Sequence, residues 1–171
     1  MQLGIRLHDI KKAPLEERLA IAKEQGFLCG HLALSKVISE YPVDDGALTP
    51  GYAMYLKKLF AKNGLDIAVL GCYLNLANPN EEQLAKITHR YLAHIRFASL
   101  LGVGVVGTET GAVNEEYKFE EKNHSDEALD IFIRNVKPVL SYAEKMGVIF
   151  AIEPVWKHIV CNPKRARKVL D

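Results

Sequence analysis

One phrase occurs four times along the chain: a helical segment ends in glycine and an apolar run follows at once, in EQGFLCGHLAL, KNGLDIAVLGC, LLGVGVVGT and KMGVIFAIE. The glycines are Gly26, Gly64, Gly102 and Gly147, so the spacing is 38, 38 and 45 residues. That is the length of a strand, a loop, a helix and a return loop, the repeating unit of a parallel sheet. A further strand, LGIRL from Leu3 to Leu7, opens the series. Helix starts fall where the period needs them: Ala13 before Pro14, Thr49 before Pro50, Asn80 before two glutamates, Ser125 before an acidic pair, and Asn162 before Pro163. Each offers a cap followed by a residue suited to the first turn. Strands and helices therefore alternate strictly, five of each, the last helix beginning near Pro163.

Strands this apolar need cover on both faces, which makes the sheet parallel and the fold α/β. Two architectures accept the pattern: an open doubly wound sheet and a (β/α)8 TIM barrel. The near-constant unit favours the barrel. So does HDIKKAP after strand one, where a doubly wound nucleotide fold would place a glycine-rich turn. A complete barrel takes about 250 residues. Residues 1–171 are thus expected to form a single domain, the N-terminal part of a TIM barrel truncated after about five βα units.

Gly102, Gly104 and Gly107 spell a dinucleotide motif, but in the wrong order. Leu84, Ile87, Tyr91, Ile95 and Ala98 form one apolar stripe on a helix from about Glu81 to Leu101. Gly102 then reads as its terminator and Val103 to Thr108 as the strand that follows, whereas the dinucleotide motif requires a strand first and a helix after it. His89 and His94 lie on different faces of that helix, which excludes a two-histidine zinc pair. Neither a nucleophile elbow nor a phosphate loop of the Gly-x-x-x-x-Gly-Lys type occurs.

The balance of 22 basic and 21 acidic residues leaves a net charge of +1, which removes the electrostatic case for nucleic acid or an anionic membrane as partner. Lys164, Arg165, Arg167 and Lys168 read as the solvated face of a helix. Cys29, Cys72 and Cys161 are odd in number and contain no Cys-x-x-Cys, so they are expected to be small core or strand residues in a reducing, cytoplasmic setting. MQLGIRLHDIKK is too short in apolar residues for a signal peptide, no segment is long enough to span a bilayer, and Asn123-His124-Ser125 is a glycosylation spelling by coincidence.

Sites on parallel sheets gather at the carboxyl ends of the strands. Those ends carry His8 and Asp9; Ser35 and Lys36; Cys72, Tyr73 and Asn75; Thr108 and Glu109; and Glu153, with Trp156 and His158 just beyond. Glu153 stands out because it interrupts VIFAIEP, a run expected to be buried on both sides, where a carboxylate is costly unless a metal or hydrogen bond meets it. Pro154 holds it extended, aimed at the mouth. His8 and His158 offer donors or proton relays, Glu109 a second carboxylate, and Tyr73 and Trp156 an apolar wall for a small ligand.

The pieces GIRLHD, GFLCGHLAL, LDIAVLGCYLNLANPN, LLGVGVVGTETG and VIFAIEPVWKHIVCNP, in that order, resemble the sugar phosphate isomerase/epimerase group of the xylose isomerase-like barrels, which also includes an endonuclease branch acting on abasic DNA. The resemblance implies a divalent metal (Mn, Mg, Co or Zn) held at the mouth by a Glu, Asp, His and Glu set, of which only the first, Glu153, falls within these residues. It further implies that Glu153 binds metal and exchanges the proton, and that His158, Glu109 and His8 contact substrate hydroxyls. The expected function is a metal-dependent isomerase or epimerase of a sugar or sugar phosphate, working through an enediolate. Abasic-site DNA repair is the alternative enzyme class, disfavoured by the balanced charge. A non-catalytic half-barrel that binds sugar or pairs into a homo-oligomer across its open edges is the third reading.

Overall fold

A computed structural model of the chain describes residues 2–171. The strands are β1 (Gly4–Arg6), β2 (Cys29–Ala33), β3 (Asp66–Gly71), β4 (Val105–Glu109) and β5 (Ile149–Glu153). They form one sheet in the order β1-β2-β3-β4-β5, every pair parallel. The helices are α1 (Leu15–Glu24), α2 (Leu34–Val37), α3 (Pro50–Lys62), α4 (Glu81–Leu101), α5 (Asp126–Lys145) and α6 (Pro163–Leu170). Five of them are those the period anticipates. The sixth, α2, is a single turn directly after β2, a local coil that leaves no periodic trace.

Four of the five expected caps form. Thr49, Asn80, Ser125 and Asn162 accept from the amides of Tyr52, Gln83, Ala128 and Arg165 at 3.0–3.2 Å. The first differs: Pro14 is the cap of α1, and the Leu15 amide donates instead to Glu40 Oε1 at 2.7 Å. Each repeat glycine does end its helix, Gly26, Gly64, Gly102 and Gly147 all lying at φ between +66° and +82°, a region glycine enters without a Cβ clash.

The outer face of the sheet carries Leu32, Leu70 and Val106, all fully buried with Leu19, Leu56, Tyr91 and Phe132 of the helices. The Tyr91 hydroxyl, sealed in this layer, reaches the Thr108 hydroxyl at 2.6 Å and donates to the Leu74 carbonyl at 2.8 Å. The inner face departs from the sequence expectation. Val69, Val105 and Ala151 are half-buried and Ile149 is 66% exposed, so the VIFAIEP run is not covered on both sides. The cause is position: β5 pairs only with β4, and nothing among the described residues packs across the inner face at that edge.

Candidate active site at the mouth of the sheet

In-register pairing decides which carboxyl-end side chains share a face. Arg6 pairs with His31, and Glu109 with Glu153, so all four belong to the inner rim. An extra residue in β3 between Ile67 and Val69, opposite Gly30 and His31, shifts the register next to this rim. Gly71 lies between His31 and Tyr73. A Cβ there would strike His31 Nε2 and lie 2.7 Å from Tyr73 Cε2, so its bare backbone is what lets the two side chains meet.

On the β1–β3 side the polar groups interlock. Tyr73 Oη and His31 Nε2 are 2.8 Å apart, the His8 ring meets the His31 ring edge-on at 5.4 Å, and Lys36 Nζ sits 4.4 Å above the Tyr73 ring. Burial, with help from His8, Arg6 and Lys36, pushes the His31 imidazole down to about 4, and burial lowers His8 as well. Burial, followed by the fields of Glu153 and Glu109, pushes the Tyr73 phenol up to about 12. At neutral pH these are neutral donors and acceptors rather than charges. Arg6 Nε donates to Asp9 Oδ2 at 2.8 Å, and among the described residues the rest of its guanidinium has no side-chain partner.

The β4–β5 side is built around Glu109. Tyr117 Oη donates to Glu109 Oε2 at 3.3 Å, and the Tyr117 ring stacks on His158 at 5.1 Å. Tyr117 adopts φ +56°, a left-handed conformation that costs a bulky residue about 1–3 kcal/mol and persists only where its surroundings enforce it. His158 Nδ1 is 3.9 Å from Glu109 Oε2, beyond hydrogen-bond reach, and like His8 Nδ1 it is buried without a partner among the described residues. Burial lowers the His158 imidazole. Glu153 is exposed at the tip of β5.

Of the expected site residues, His8 and Tyr73 thus gather on one side, and Glu109, His158 and Glu153 on the other. Trp156 joins neither. It is 62% exposed and tilts against Phe119 at 5.4 Å, with Lys157 Nζ 5.2 Å from its ring. His31 and Tyr117 were not singled out from sequence. His31 had a signal, since it breaks the apolar run GFLCGHLAL; Tyr117 had none.

Buried polar side chains tie the mouth loops together. Asn75 accepts from the amides of Ala77 and Ala112 and donates to the Asn114 carbonyl, while Thr110 accepts from the Val160 amide. Asn123, fully buried, accepts from Val113 and donates to the carbonyls of Lys118 and Lys157. Such burial closes this asparagine to glycosylation in the folded chain. Arg165 corrects the expectation of a solvated basic face: it is 9% exposed and donates to the carbonyls of Ile159, His124 and Ser125. Cys29 and Cys72 are buried as expected, and Cys161 is half-buried in a loop.

The model of the family described as xylose isomerase-like TIM barrel matches residues 19–171. The chain belongs to that family. Comparison with curated protein sequences gave no match. Similar solved structures include D-psicose 3-epimerase with D-tagatose from Clostridium cellulolyticum H10, 17% identical with a TM-score of 0.71 over 99% of this chain and 60% of that one. L-ribulose 3-epimerase is 16% identical, with a TM-score of 0.75 over 99% and 56% of the two chains. The IOLI protein with a bound zinc atom is 19% identical, with a TM-score of 0.75 over 99% and 58%. The β/α alternation is thus that of a TIM barrel, and the chain spans less than two thirds of the length of these structures. Among the described residues no helix is long and apolar enough to cross a membrane. Nor do three His, Cys, Asp or Glu side chains gather so as to hold a metal ion, and the residues present do not by themselves fit a resident cation.

Proposed function

We propose that the mouth binds a small sugar or sugar phosphate and moves a proton at a carbon beside its carbonyl, making the protein an isomerase or epimerase of carbohydrate metabolism. The observation that carries this reading is the in-register pair Glu109–Glu153, two carboxylates on one face of one rim in different settings. Glu109 is engaged by Tyr117, whereas Glu153 is exposed at the strand tip. A carboxylate open to a substrate serves as base, and one held by a phenol serves as a fixed acceptor for a sugar hydroxyl.

In this reading Glu153 takes the proton from the carbon. The C–H electron pair enters the new C=C bond and the carbonyl oxygen becomes the enediolate oxygen. Return of the proton by Glu153 to the neighbouring carbon, as the hydroxyl proton crosses to the former carbonyl oxygen, gives an isomer. An epimer needs a proton delivered by a second acid on the opposite face, since Glu153 reaches one face only. Charge developing on oxygen requires donors already aimed at it, and the His158 imidazole, beside Glu109, supplies one, while His8 meets a sugar hydroxyl on the β1 side. Tyr73 lines the substrate between them. Trp156 would join only from the outer margin, as a cover. Glu153 offers one oxygen ligand to a divalent ion, and among the described residues the Asp, His and second Glu implied by the resemblance have no counterpart gathered around it.

Deuterium incorporation from D2O beside the carbonyl of a ketose tests the role of Glu153. Glu153→Gln is expected to slow incorporation at least about 100-fold while the circular dichroism spectrum stays unchanged. Exchange at an undiminished rate in the variant would overturn the assignment.

A further inference from the structure

The loops that follow β4 and β5 are joined by two aromatic pairs, one half-buried beside Glu109 and one exposed. Tyr117 and His158 stack at 5.1 Å, and two residues from each of them Phe119 and Trp156 meet at 5.4 Å with a tilt of 48°. The residues between are fastened by one buried side chain, Asn123, whose amide donates to the carbonyls of Lys118 and Lys157 at 3.1 Å. His124 adds a second brace: its Nε2 donates to the Trp156 carbonyl at 2.8 Å, and its ring lies 5.5 Å from that of Phe119. The outer pair is therefore held in place, yet Phe119 is 44% and Trp156 62% exposed. A braced apolar patch left open to water beside a site is a surface for a ligand.

What fits there is small. Two rings offer far less than the area of about 800 Å² that a protein partner covers on each side. Their surroundings are polar: Lys157 Nζ lies 5.2 Å from the Trp156 ring, and Lys118 and His124 are exposed. A sugar ring matches this combination. One face of a pyranose presents C–H bonds, which settle on the electron-rich face of an aromatic ring, while its hydroxyls reach sideways to donors such as the Lys157 ammonium. Resting on the proposed function for the reacting sugar, we propose that Phe119 and Trp156 form a second subsite, which holds the other ring of a disaccharide-type substrate. Trp156 lies three residues beyond Glu153 and sits in the turn that the His158 amide closes on the Val155 carbonyl at 2.8 Å, so one loop carries both subsites. The reducing end of the substrate, with its carbonyl, lies at Glu153 and the attached ring lies outside on Trp156. That ring takes no part in the proton transfer and supplies binding alone.

Trp156 is the only tryptophan of the chain, so its fluorescence reports on this subsite directly. Three probes share a fructose end: D-fructose alone, lactulose with galactose on O4, and isomaltulose with glucose on O6. At least one disaccharide is expected to change the emission and, by calorimetric titration, to bind about tenfold or more tightly than fructose. Trp156→Ala should bring that ratio to within about twofold, Phe119→Ala should lower it, and Trp156→Phe should keep most of it by retaining a ring. Three results overturn the second subsite: disaccharides bound no more tightly than fructose, tight binding that leaves the emission unmoved, or a ratio unchanged in Trp156→Ala. Each leaves proton exchange on a single sugar to be judged separately, by deuterium incorporation into D-fructose. Binding of none of the three probes overturns the subsite and the mouth as a sugar site together.

Discussion

On the outer face of the sheet Leu32, Leu70 and Val106 are fully buried under the helices, whereas on the inner face Val105 and Ala151 are half-covered and Ile149 lies open. The same strands supply both sets of side chains, one residue apart. What separates them is the partner: helices close in sequence seal the outer face, and the inner face must be covered from across the mouth. The outer face therefore holds the fold, and the inner rim can spend residues such as His31, Glu109 and Glu153 on polar chemistry.

Truncating one residue from each face tests that separation of roles. Leu70→Ala removes a side chain with no exposure and is expected to cost about 3 kcal/mol in urea unfolding, within the range of such core deletions. Ile149→Ala, at 66% exposure, should cost less than about 0.5 kcal/mol. Equal losses would mean that the inner face is sealed in solution.

Two histidines, one under each face, respond differently to pH. His94, on α4 and buried, is pushed down to about 4 by burial and then by Arg90, and its Nδ1–H donates to the Arg90 carbonyl at 2.9 Å. His31, on the inner rim, is also pushed down to about 4. In both cases the unfolded chain, with histidine near 6.5, binds the proton more readily than the folded one, so stability rises with pH between about 4 and 6.5. It is complete above that window and is lost as pH falls through it. For the more deeply buried His94 the loss approaches about 3 kcal/mol at the lower end. His94→Gln should flatten the pH dependence of urea unfolding from pH 7 to 4.5 by most of that amount. His31→Gln should flatten it less, because water already reaches that ring. A larger effect at His31 would invert the order of the two faces.

The outer face is also the part legible from sequence. Its strands and helices pack against neighbours within one βα unit, so the period of glycines, the stripe from Leu84 to Ala98 and the caps at Thr49, Asn80, Ser125 and Asn162 record it locally. The rim was legible by position, because strand ends place His8, Tyr73, Glu109, His158 and Glu153 there. Partnership was not legible. Tyr117 reaches Glu109 only through a left-handed turn in a long loop, and Asn123 and Arg165 are buried by carbonyls 5 to 41 residues away, so that one resembled a glycosylation site and the other a solvated cation. The cover expected over VIFAIEP failed for a related reason: an apolar pattern states what a strand needs, not whether an edge position supplies it.

Gly71 joins the two accounts, because its strand belongs to the outer core and its missing side chain belongs to the rim. Gly71→Ala leaves Leu70 in place and forces His31 and Tyr73 apart, an overpacking that should cost about 1–3 kcal/mol. Gly64→Ala is the matched control, with nothing within 4 Å of its Cβ and a φ of +66°, so it should cost about 1 kcal/mol through the backbone alone. The discriminating measurement is the titration of the His31 ring by NMR. Displaced from Tyr73 towards water, that imidazole should titrate nearer its ordinary value in Gly71→Ala, since burial is what lowers it, and should be unmoved in Gly64→Ala. An unshifted His31 in Gly71→Ala would show that the ring keeps its place without the gap, and the rim would then owe nothing to the bare backbone beneath it.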